Sequence, residues 1–169
     1  MSRSLLQDAF GHHVWATLRL IDVCQALGPE QLETAAPGTY GSILETQRHI
    51  VGADASYLFV TSGERTPPID EGSMDLPVLR AVIERNGAAW SQLLSEDLDP
   101  DAVFERRRDD GSQTHASLGI RLAQVLHHGT DHRSQICTAL TSLGVEPPAI
   151  DVWDFGLQAG SVVEILPTS

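Results

Sequence analysis

The sequence predicts an all-α protein, a four-helix bundle with a small hairpin or ordered loop before the last long helix. Three observations predict it. Apolar residues recur at threes and fours in four separate stretches, the period of a helix with one buried stripe. Segments rich in glycine, proline and acidic residues separate those stretches, and Asp110-Gly111 supplies one hairpin turn signal. A chain of 169 residues can bury a sizeable core, and one domain over residues 1–169 is the natural division.

The first helix is expected from about Ser4 to Leu27. Leu6, Phe10, Val14, Thr17, Ile21 and Cys24 trace its stripe, and Gly28-Pro29 ends it. His12 and His13 fall near its middle and read as surface or boundary histidines, although a metal ligand or proton carrier is conceivable there. Glu30 to Gly41 reads as a loop. Ser42 then caps the second helix, with Glu45 three residues later completing a capping-box pattern, and Ser62-Gly63 stops it after Thr61. Leu44, Val51 and Leu58 mark its apolar line. His49 lies off that line among the small residues Ser42, Ala53 and Ser56. Periodicity alone turns it to solvent, while small neighbours equally leave room for a site between helices.

Pro67-Pro68 and Asp70 to Ser73 form a second loop, and the third helix follows from Asp75 to about Ser95 with Pro77 in its first turn. Leu79, Val82, Ile83, Trp90 and Leu93 form its core face. Val103 to Arg108 and Ser112 to His115 flank the hairpin signal. The run Arg106-Arg107-Arg108 is neutralised by Glu105, Asp109 and Asp110, so it reads as a solvated rim.

The last long helix, about Ser117 to Leu143, carries the chemistry. Its apolar stripe runs through Leu118, Leu122, Val125, Gly129, Ile136 and Leu140, and Gly144 supplies the cap. His128 and His132 are four residues apart, so their rings stand about 40° apart around the axis and one turn above each other. Both can reach a single metal ion. The residue after His128 is Gly129, so the H-E-x-x-H pattern of zincins, with its glutamate base, is absent. A bare H-x-x-x-H reads equally well as a solvated or core-edge pair, and a third ligand must come from elsewhere. After Pro147-Pro148 a short helix is expected, with Trp153 and Phe155 laying aromatic cover over the bundle.

Composition excludes several classes. All 11 cationic side chains are arginine, which removes Schiff-base lysine chemistry and a Walker-type phosphate loop. The net charge of −12 argues against nucleic acid or an anionic membrane as partner. No segment has the length of a membrane span, and the N-terminus does not fit a signal peptide. Cys24 and Cys137, without C-x-x-C spacing, read as small buried hydrophobes in a reducing cytoplasm.

The run HHGTDHRSQI, followed by LGVEPPAIDVWDF, is similar to the late-helix signature of the DinB/YfiT-like family of metal-dependent proteins, and TQRHIVGADASYL resembles its second helix. The resemblance extends from the Trp15 region to Phe155. It implies a four-helix bundle with a long crossover between the second and third helices, and commonly a homodimer. It also implies His49, His128 and His132 as metal ligands. Members of the family include transferases and isomerases that use small thiols such as mycothiol or bacillithiol. Ser134 stands where glycine is usual, and His12 where asparagine is frequent.

Three neutral histidines with an open position suit a catalytic divalent transition metal, zinc or nickel foremost. Such an ion activates water or delivers a thiolate. The expected function is therefore that of a cytoplasmic hydrolase or a thiol-dependent transferase or isomerase, acting on a small-molecule substrate. The alternative is a non-catalytic metal-binding stress-response bundle. Gln135 and Arg121 project to the ligand side of their helix and are candidates to orient ligand or substrate, though Arg121 equally reaches solvent. Glu45, one turn before His49, is a further candidate that its capping role already explains. No general base is evident.

Overall fold

The computed structural model describes residues 4–63, 65–66, 69–108 and 110–165. Four long helices, α1 (Leu5–Cys24), α3 (Ile43–Thr61), α4 (Leu76–Leu93) and α5 (Leu118–Ser142), form the mass of the protein. Two short ones, α2 (Pro29–Leu32) and α6 (Val152–Gln158), follow α1 and α5. The expected cap residues start their helices. Ser42 and Glu45 form the reciprocal capping box of α3, and the Asp75 side chain accepts from the Val78 N–H at α4. A second capping box, Ser4 with Gln7, opens α1.

α1 ends three residues earlier than periodicity suggested, because Gly28-Pro29 starts a separate turn of helix inside the expected loop. A 3₁₀ turn, Glu71–Ser73, lies in the second loop, while Pro67-Pro68 fall outside the described residues. The hairpin is present as β1 (Val103–Arg107) and β2 (Gln113–Ser117), antiparallel with Glu105 opposite His115. Gly111 takes φ +81° at its turn, the left-handed conformation that favours glycine. Arg106, Arg107 and Arg108 are exposed as a solvated rim; Asp109 lies outside the described residues.

α3 packs on α5 and α4, and α1 packs on α4 and α5. Their shared interior divides into two apolar clusters. One contains Leu20, Ile21, Ile50, Val51, Leu79, Ile83, Ile136 and Leu140. The other contains Phe10, Leu58, Trp90, Leu93, Leu122 and Val125. The order in which each helix meets them fixes its direction. α1 and α5 run from the Phe10 cluster toward the Leu20 cluster, and α3 and α4 run the opposite way. The α3–α4 connection therefore returns along the molecule, the long crossover that the family resemblance implies. Between the clusters every long helix contributes a buried polar residue: His13, Asp54, Asn86 and Arg133.

Trp153 is 65% exposed and does not cover the helices; its helix turns Phe155 inward instead, against Trp15 and His12. Cys24 is fully buried and Cys137 half-buried, both as free thiols. Among the described residues no helix is long and apolar enough to cross a membrane.

Candidate metal centre

His49 on α3 and His128 and His132 on α5 are half-buried and face one another across the α3–α5 contact. One ring nitrogen from each lies within 4.8 Å of the others. His128 Nε2 and His49 Nε2 approach to 3.0 Å. The ring centroids of His128 and His132 are 4.4 Å apart, and His49 is 4.7 Å from His132. The one-turn spacing on α5 thus delivers an adjacent pair, edge to face with 73° between the planes, and helix packing supplies the third ring. His49 sits off the apolar line of α3, as its neighbours suggested, but α5 covers that side and half-buries it.

The electrostatics favour neutral rings at His128 and His49. Burial, followed by the neighbouring His132 and His49, pushes His128 down to about 4. His49 is also lowered, by burial first and then by His132, with Glu71 acting against them. Neutral imidazole is the form that binds a metal. His132 donates its Nδ1–H to Gln135 Oε1 at 2.9 Å, which leaves Nε2 as its free acceptor. The same Gln135 oxygen accepts the Tyr40 backbone N–H at 3.0 Å, so the loop before α3 is tied to the site. The Tyr40 ring stacks on His49 at 4.0 Å with 10° between the planes. A cavity of about 430 Å³ opens beside His49, lined also by Tyr40, Glu45, Arg48, Glu71 and Gly72.

The other expected site residues take different places. Glu45 is held by its cap, its carboxylate accepting the Ser42 N–H at 2.8 Å, although it also lines the cavity. Arg121 is 5% exposed and neither reaches solvent nor faces the histidines. Its guanidinium donates to the Phe104 and Thr114 carbonyls at 2.8 and 3.4 Å, because the hairpin folds over the start of α5 and offers acceptors there. His12 bonds the Ile150 carbonyl at 2.8 Å, away from the three-histidine cluster.

His13 is neither at the surface nor a member of the cluster. It is 1% exposed, in the polar layer behind His128. Arg133 donates to its Nδ1 at 3.0 Å, which places the ring proton on Nε2, facing Asp54 Oδ1 at 3.2 Å. Asp54 also accepts from Trp90 Nε1 at 2.9 Å and Asn86 Nδ2 at 2.8 Å. Gly129 makes the approach possible, since a Cβ there would lie 2.5 Å from His13 Cε1. The position that carries the base in zincins therefore has no room for a side chain.

A cavity of about 890 Å³ lies between α1, α5 and α6 and is lined by none of the three histidines.

Comparison with known protein families matches residues 1–160 to the DinB family. No curated protein matches the chain.

Proposed function

Because the chain belongs to the DinB family and gathers three imidazoles at one point, we propose that it is a metal-dependent enzyme. His49, His128 and His132 hold a divalent transition metal, zinc or nickel. The donor set fits such an ion: three borderline nitrogen ligands, with His128 and His49 kept neutral by burial. When bound, the ion supplies Lewis acidity toward water or a thiol, the chemistry of a hydrolase or of a small-thiol-dependent transferase or isomerase.

The chain's own residues have separable roles in this reading. Gln135 holds the His132 tautomer, Tyr40 covers one face of His49, and the cavity beside His49 admits a small-molecule substrate. The observation that carries the proposal is the convergence of the three rings beside an open cavity. A set closed on all sides would fit storage or a structural role better. The same reading takes the chain as one four-helix-bundle domain, working as a cytoplasmic homodimer.

Metal content of untagged protein, measured by mass spectrometry beside His128→Ala, tests it. The expected result is about one equivalent of transition metal in the parent and loss in the variant. Absence of metal from both after incubation with Zn²⁺ or Ni²⁺ overturns the three-histidine site. Metal without turnover across ester, amide and thiol-transfer substrates favours the non-catalytic alternative.

A further inference from the structure

Glu71 is a carboxylate that no expectation drawn from the sequence singled out. The crossover between α3 and α4 returns along α3, and its 3₁₀ turn lies against that helix at Gly52. A Cβ on Gly52 would sit 2.5 Å from Glu71 Cδ and 2.7 Å from Oε1. The acidic group is therefore laid flat on α3, three residues beyond His49 and on the same side of the helix. Arg48 fixes the end of the turn, its Nε donating to the Met74 carbonyl at 2.8 Å.

Three charged residues line the cavity beside His49. Glu45 is committed to the Ser42 N–H, and Arg48 to Met74. The Glu71 carboxylate is half-buried and has no hydrogen-bond or ion-pair partner among the described residues. A partly desolvated carboxylate without a partner costs stability, and its natural use is to meet a ligand. Its field already reaches His49, where it opposes the effect of burial on that ring.

We propose that Glu71 sets ligand choice at the three-histidine site: its carboxylate, seated on Gly52 beside His49, admits neutral or cationic ligands bearing a hydrogen-bond donor and rejects small anions. Amines, amides, alcohols and neutral thiols are the substrate groups this selects. The inference rests on the metal-binding reading above.

The test loads the full chain with Co²⁺ and titrates azide and imidazole, following the visible spectrum at low ionic strength. Glu71→Gln removes the charge and keeps the shape; azide affinity is expected to rise by about fivefold or more, with imidazole unchanged. Gly52→Ala displaces the carboxylate without removing it and should move the azide-to-imidazole ratio the same way. Added salt should shrink both differences. Failure of the parent to take up Co²⁺ overturns the metal-binding reading itself. Uptake with an unmoved ratio in Glu71→Gln overturns this inference alone.

Discussion

His13 and Asp54 meet inside the protein, Nε2 to Oδ1 at 3.2 Å, with 1% and 2% of their surfaces exposed. Asp54 is the hub of the polar layer, accepting from His13, Trp90 and Asn86 and so joining α3 to α1 and α4. Arg133 extends the layer to α5 through His13, and burial draws its own pKa down to about 10. Removing one partner of such a buried charged set leaves the others desolvated and unmatched. Asp54→Ala is expected to destabilise the protein by about 3–5 kcal/mol in urea denaturation. A loss under about 1 kcal/mol would show that water or rearrangement replaces the carboxylate.

Gln135 joins His132 and the Tyr40 backbone through one oxygen, and both bonds are near-ideal in length. Gln135→Ala frees the His132 ring and releases the loop, so metal affinity in a chelator competition should fall by about 10–100-fold. Gln135→Glu keeps an acceptor in place and should recover much of the loss. Equal affinity in parent and alanine variant would remove Gln135 from the metal-holding role and leave it a loop tether.

The helices and the pairing of His128 with His132 were legible because their determinants are local. Capping boxes, apolar spacing and the Asp110-Gly111 turn act within a few residues, and His128 and His132 share one helix. The His13–Asp54 layer was not. A stripe drawn through Phe10, Val14 and Thr17 passes His13, three residues after Phe10 and four before Thr17. Asp54 holds the same relation to Val51 and Leu58, and polar residues at core register on several helices were the available signal. The placement of Glu71 depends on how a crossover settles on another helix, and Arg121 on where the hairpin folds. Neither has a signature in spacing.

The depressed basicity of His128 carries a pH dependence with a definite sign. An unfolded chain protonates this histidine as pH falls through its ordinary value of 6.5, whereas the folded chain resists until about 4. Between those values the unfolded state binds more protons, so stability falls as pH is lowered. The loss begins near pH 6.5 and is complete below about 4, and the lowered His49 contributes in the same direction. With screening of a half-buried ring allowed for, His128 should account for on the order of 2 kcal/mol. Urea midpoints recorded with a chelator present should therefore drop between pH 7 and pH 4.5. His128→Asn, which has no proton to gain there, should show a shallower fall over the same range. Parallel pH profiles for parent and variant would mean that His128 is not the group resisting protonation, and that the fold does not hold its ring as a neutral donor.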